Sequence, residues 1–308
     1  MRESTPWARP YLGVILGVSA VSFAAIFIRL CQAPPLAVAF YRMALAALVL
    51  LPLMVRRGWS QLANLRKAAL ARAVLAGLFL GIHMGVWVTS LYLTSVASSV
   101  ILVSTQSIFA VLLSHFGIKE KVSRGVLLAV FIALIGSVLI GGSDLRLGRE
   151  TLAGDGLALA GAFMAALYMV TGRRVRQDLP LLPYVFLVYT SSAVFLGICC
   201  LAFRVRMAGY PGQTYLWLVL LALVPTLMGH TLFNWALKYL RAYVIGVSLL
   251  GEPIGASVLA YFVFGEVPAP LKFVGGAMVL GSIYLLARKE RGLVGVAAHG
   301  GVEIAGRR

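Results

Sequence analysis

The sequence predicts an all-α membrane protein of ten transmembrane helices in two inverted five-helix repeats, with N- and C-termini cytoplasmic. Three observations predict it. The 308 residues are 61% hydrophobic and only 12% charged, with a mean hydropathy of +0.94. A soluble domain runs nearer half apolar and a quarter charged, so this chain has too little polar material to cover a water-facing surface. The apolar residues also gather into runs of about 20, the length that crosses a ~30 Å hydrocarbon core. Finally, the two halves of the chain resemble each other.

Composition excludes several other classes. Intrinsic disorder, a disulfide-rich secreted fold and a solenoid do not fit. The net charge of +17 invites a nucleic-acid partner, but Lys and Arg sit in short clusters between apolar runs, as the positive-inside rule requires. Cys31, Cys199 and Cys200 make neither an even disulfide framework nor a metal-ligand spacing. No cofactor is expected, and the expected partners are a small-molecule substrate and the lipid bilayer, not nucleic acid.

The ten predicted spans are Tyr11–Arg29, Leu36–Val55, Ala69–Ser90, Val96–Phe116, Gly125–Ile140, Leu152–Thr171, Leu181–Phe203, Tyr215–Leu237, Tyr243–Phe264 and Leu271–Ala287. The first is too long for a signal-peptide core and nine more follow, so it is read as a retained helix. Of the 27 Lys and Arg, twenty fall on the side of the termini and five on the other, with Arg29 and Arg42 within spans. This asymmetry predicts cytoplasmic termini. The organisation is a cytoplasmic segment 1–10, a first repeat 11–141, an external linker 142–151, a second repeat 152–287 and a disordered basic tail 288–308.

A shift of 146 residues lays the segment from Leu91 over that from Leu237, matching Gln106 with Glu252, Phe116 with Phe262 and Glu120 with Glu266. A shift of 144 matches Gly17 with Gly161 and Arg29 with Arg173. Five spans per copy is an odd number, so the second copy enters from the opposite face. Inverted repeats are the architecture of many secondary transporters, with the site at the repeat interface near mid-membrane.

The stretch FNWALKYLRAYVIGVSLLGEPIGASVLAYFVFGEVPAPLKFVGGAMVLGSIYLLA, from Phe233 to Ala287, resembles the second repeat of EamA-type members of the drug/metabolite transporter superfamily. APPLAVAFYRMALAALVLLPL, from Ala33, resembles the matching part of the first, with Arg42 where that family often has an arginine. The resemblance covers nearly the whole chain. It implies a ten-helix bacterial inner-membrane exporter of small metabolites, often amino acids, drugs or nucleobases. The family often has a Glu-Pro or similar pair in both repeats, whereas here only Glu252-Pro253 is kept and Gln106-Ser107 stands in the first. A mechanism built on two symmetric carboxylates therefore lacks one member.

Polar side chains inside spans cost a few kcal/mol, so each faces either a cavity or a helix partner. Glu252 is placed to bind a substrate ammonium or carry a coupling proton, or else to bond a neighbouring helix. Pro253 beside it frees the Leu249 carbonyl, and with Gly251 and Gly255 forms a candidate hinge. His83 and Trp87 share a helix face, away from a stripe of Gly77, Gly81 and Gly85 suited to close helix packing. His230, Asn234 and Leu237 share a face of the eighth span, with Trp235 beside them; these are cavity residues or structural glue. Tyr168 is placed about one turn from the end of the sixth span, as a cavity or interfacial-belt residue.

Ser99, Ser104, Thr105 and Ser107 can bond their own helix, which leaves Gln106 as the polar candidate of the fourth span. Arg42 either snorkels outwards or faces a substrate carboxylate. Glu120 and Glu266, near Lys121 and Lys272, read as structural pairs, and Asp155 as a complement to a helix dipole.

The sequence contains no phosphate-binding GKS or GKT loop, HExxH, Cys-x-x-Cys or Gly-x-Ser-x-Gly. The expectation is a secondary exporter of amino acids, large neutral or aromatic ones favoured by Trp87, Tyr168 and Trp235, either proton-coupled or facilitative. The alternatives are an anion exchanger for sugar phosphates or nucleotide sugars, and a membrane enzyme or lipid-handling protein.

Overall fold

The computed structural model describes residues 8–63, 65–94, 96–117, 122–141, 149–265, 270–271, 273–282 and 284–285. Glu120, Lys121, Glu266, Lys272, most of the 142–151 linker and the 288–308 tail lie outside the described residues.

Among those residues the chain is helical, with no strand. Seven helices are long and apolar enough to cross a membrane: α1 (Arg9–Leu30), α2 (Pro35–Leu62), α3 (Lys67–Leu93), α6 (Thr151–Asp178), α7 (Leu181–Ala202), α8 (Gly212–Ala236) and α9 (Ala242–Val263). Shorter apolar helices α4 (Leu102–Gly117), α5 (Arg124–Gly136) and α10 (Phe273–Ser282) occupy the other three predicted stretches. The turns of Val96–Ser104 lead into α4. Prolines mark several starts, with Pro34, Pro180 and Pro211 at the N-caps of α2, α7 and α8. Proline lacks the N–H that a first helical turn would leave unpaired anyway.

Glycines set how closely the helices approach. A Cβ on Gly77 would lie 1.8 Å from Ser191 Oγ and 2.7 Å from the Val188 carbonyl, and Gly81 and Gly85 also meet α7. The predicted stripe therefore seats α3 on α7, and Ser192 Oγ donates to the Gly77 carbonyl at 2.6 Å. The face of α3 bearing His83 and Trp87 meets α6 instead, over Gly161. At the other end of this α3–α6 contact Thr94 Oγ1 donates to Asp155 Oδ1 at 2.8 Å. Asp155 thus bolts two helices together, a role the dipole argument did not anticipate.

The same contact recurs between α1 and α8. Gly17 lies under Phe233 as Gly161 lies under Trp87, and Gly13 lies under Trp235. Three further pairs close the bundle. Gly197 of α7 meets Phe40 of α2, Gly246 of α9 meets Ala110 of α4, and Gly136 of α5 meets the Gly275 carbonyl of α10. Large apolar side chains such as Phe131, Ile198, Leu201 and Phe262 are exposed around the outside. In water such a surface would drive association, whereas hydrocarbon covers it without cost.

Two helices are interrupted at matching places. In α4 the helix breaks at Thr105, immediately before Gln106. In α9 it tightens to a 3₁₀ turn at Leu249–Gly251, immediately before Glu252. Thr105 and Gly251 are equivalent under the 146-residue shift. Pro253 accompanies the second break, but the first has none. There hydroxyls take up backbone carbonyls, Thr105 Oγ1 donating to Leu102 O at 2.6 Å and Ser107 Oγ to Ser104 O at 3.0 Å.

Candidate functional site

The two interruptions meet at the centre of the bundle. Arg42, His83, Trp87, Gln106, Tyr168, His230 and Glu252 line one cavity with Val21, Ala24, Val103, Ala165, Met169 and Leu249, and its volume is about 30 Å³. Six helices besides α9 contribute to it, so residues remote in sequence converge on one point.

Arg42 is 1% exposed and does not snorkel. Its Nε donates to Thr226 Oγ1 at 2.8 Å, while Nη1 is enclosed with no partner. Thr226 is presented by a π-helical stretch of α8, Ala222–His230, containing Pro225. Its hydroxyl in turn donates to Leu221 O at 2.9 Å, five residues back along the wide turn. Tyr189 of α7 braces the same turn, its hydroxyl 3.3 Å from Thr226 O and 3.0 Å from Thr231 Oγ1. Wide turns of this kind are frequent at functional sites. This one also carries His230 into the cavity lining.

His83 Nδ1 lies 2.9 Å from the Gly161 carbonyl. A carbonyl can only accept, so that nitrogen carries the proton and Nε2 of the neutral ring is an acceptor. The imidazole stacks on Trp87 with ring centroids 5.8 Å apart and planes 4° from parallel. Trp87 Nε1 is buried without a partner. The cavity thus holds two unsatisfied N–H donors, from Arg42 and Trp87, an expensive arrangement unless something is to be bound there. Glu252 supplies the opposite charge from the start of the second part of α9. Its own carbonyl accepts a long 3.5 Å bond from Ser22 Oγ, at the break in α1. Gly255 lies against the same serine, where a Cβ would meet Ser22 Oγ at 2.1 Å. Gly255 therefore allows α1 and α9 to approach, and Gly251 is the residue within the tightened turn.

Tyr168 sits differently from its predicted place. The sixth helix continues to Asp178 rather than ending at Thr171, so Tyr168 is interior, 2% exposed, and no belt residue. Its hydroxyl donates to Asn234 Oδ1 at 2.6 Å. Asn234 is fully buried but stands behind the lining, with Nδ2 lacking a well-formed hydrogen bond. Trp235 lies outside the cavity, its ring over Gly13 and 5.2 Å from that of Tyr239. Thr226, Tyr189 and Arg176 are the residues that sequence reasoning missed. Arg176, counted among interfacial charges, is 2% exposed, and its Nε donates to Asn234 O at 2.9 Å.

The chain is similar to proteins already known. It is 26% identical over 277 residues to an uncharacterized transporter of Archaeoglobus fulgidus, covering 90% of this chain and 95% of that one. It is 24% identical over 185 residues to the uncharacterized transporter YdfC of Bacillus subtilis, covering 59% and 60%. A crystal structure superposes with a TM-score of 0.75 at 20% identity, covering 92% of this chain and 98% of that one, a likeness of fold. The EamA-like transporter family matches twice, over residues 8–142 and 152–288. A multi-pass bundle of apolar helices, matched in both halves by one transporter family, is a membrane transporter, and the chain belongs to the EamA-like family.

Proposed function

We propose that the protein is a secondary exporter of amino acids, large neutral or aromatic ones preferred, in the bacterial inner membrane. The observation that carries this reading is that Arg42 and Glu252 line one cavity, with the unpartnered N–H groups of Arg42 and Trp87 beside them. A zwitterion matches it: the carboxylate takes the two donors and the ammonium faces Glu252. The stacked His83–Trp87 pair and Tyr168 offer flat surfaces to a side chain. Binding and release are all that this chemistry requires.

The architecture supporting it is ten spans in two inverted repeats with cytoplasmic termini. Equivalent glycines, Gly17 and Gly161, seat equivalent helix pairs, which favours this arrangement. A cavity of about 30 Å³ holds a water or two, whereas ligand pockets span about 300–1,000 Å³. The cavity in this conformer is therefore too small for an amino acid, and substrate entry requires helix groups to rock around the α4 and α9 breaks.

Solute flux into proteoliposomes tests the reading. Saturable uptake of labelled phenylalanine, tyrosine, tryptophan or leucine is expected from the protein alone. Silence across an amino-acid panel, from folded protein, overturns the substrate class and turns attention to sugar phosphates, nucleobases or lipids. Glu252→Gln is expected to reduce flux at least tenfold, an order of about 1.4 kcal/mol in transition-state terms, while the variant still folds. An unchanged rate and pH profile in that variant would remove Glu252 from the mechanism. Orientation has its own check: a cysteine at Asp178 is expected to label from the cytoplasmic side, and external labelling would reverse the topology.

A further inference from the structure

We propose that the end of α6 and the end of α8 form the gate that seals the cavity on the side where α6 stops, and that Asn234 joins this gate to the cavity. The inference rests on the transport reading and adds to it residues that the cavity alone does not reveal.

The last turns of α6 grip carbonyls at and just beyond the end of α8. Arg173 Nη1 donates to Leu237 O at 2.8 Å and Lys238 O at 3.0 Å. Gln177 Nε2 donates to the same two carbonyls, each at 3.4 Å. Arg176 donates to Asn234 O from one nitrogen and to Leu179 O from another, while its guanidinium lies 6.0 Å from the centre of the Tyr184 ring. These carbonyls end a helix and have no partners within it, and the helix dipole makes them the natural seat of cations.

Asn234 belongs to both parts. Its backbone oxygen is held by Arg176, and its side chain by Tyr168, whose ring lines the cavity. Its Nδ2 is buried without a well-formed hydrogen bond, with the Tyr189 hydroxyl near it, so the closed arrangement leaves that donor poorly satisfied. A state in which Asn234 turns and that donor finds an acceptor has something to gain, as a two-state joint requires.

A second contact on the same side supports the gate. Between the cavity and the start of α9, Gly246 lies against Ala110 and Ser107 of α4. Two close contacts on one side describe a molecule shut towards the end of α6.

The test reads opening directly and needs no substrate. Ala165, a buried lining residue, is replaced as Ala165→Cys in a chain whose Cys31, Cys199 and Cys200 are serine. A membrane-impermeant thiol reagent is then applied to proteoliposomes from each side in turn. Adding Arg173→Ala with Gln177→Ala is expected to speed labelling from the clamp side by at least about fivefold, leaving the other side unchanged. Tyr168→Phe, which frees Asn234 without touching the arginines, is expected to do the same. A disulfide between Gln177→Cys and Lys238→Cys, in the otherwise intact clamp, should stop labelling from that side until it is reduced. Unchanged rates from the clamp side overturn the gate, as does equal acceleration from both sides, which would mark a loosened fold. A lack of amino-acid flux would overturn the substrate reading and leave these labelling rates as they are.

Discussion

Arg42→Ala is expected to lower amino-acid transport at least 100-fold, about 2.7 kcal/mol, the largest effect of any single change in the cavity. The size follows from what the guanidinium lacks. Its Nε is held by Thr226, but Nη1 is enclosed and unpartnered. An unsatisfied charged donor in a protein interior is costly to maintain, and under the proposed function a substrate carboxylate relieves that cost only when bound. Arg42→Met separates the two consequences. It fills similar space without a charge, so thermal stability in detergent is expected to hold or rise while transport is lost. Should stability and transport fall together, Arg42 is a structural residue and the carboxylate site lies elsewhere. Arg42→Lys keeps the charge but not the planar fork, and is expected to recover only part of the loss.

Gly77→Val is expected to be the most destabilising substitution outside the cavity, costing about 3 kcal/mol or more. The added Cβ meets both Ser191 Oγ and the Val188 carbonyl. A side chain can rotate away, but the carbonyl belongs to the backbone of α7 and cannot yield without moving the helix. The Ser192–Gly77 bond would part with it. In lipid, helix association rests on this kind of close packing because no hydrophobic force separates one apolar surface from another. Thermal unfolding in detergent checks the expectation against Gly156→Ala, a helical position with nothing within 4 Å of the new methyl. That control is expected to be neutral or mildly stabilising. If Gly77→Val unfolds at the wild-type temperature, the α3–α7 seam is not what holds the first repeat to the second.

The long apolar helices were legible because a span is defined by composition over about 20 residues, and side-chain detail is averaged away. The glycine stripe of α3 was equally legible, since a four-residue spacing fixes one face of a helix. The end of α6 was not. Arg173, Arg176 and Gln177 read as loop because charge normally marks the membrane surface. Here it continues the helix, because the carbonyls of α8 receive it. Thr226 stayed hidden for a related reason: a lone threonine in an apolar run ordinarily bonds its own helix, and nothing local announces a π-turn that frees it to accept from Arg42. Seven of the nine predicted site residues share the cavity. Asn234 stands one bond behind it. Trp235 is turned towards α1, because which of two adjacent residues faces inward depends on helix register, and the wide turn before it alters that register.

The paired breaks in α4 and α9 have an evolutionary corollary. One is made with a proline and the other with hydroxyls, yet both deliver a polar side chain to the same point. The joint belongs to the backbone, and the residue it presents is an interchangeable fitting. An ancestral duplicated chain could therefore change glutamate for glutamine in one half without rebuilding the bundle. Under the proposed function, a single substitution at either position would change the charge offered to the cargo while the backbone joint stays as it is.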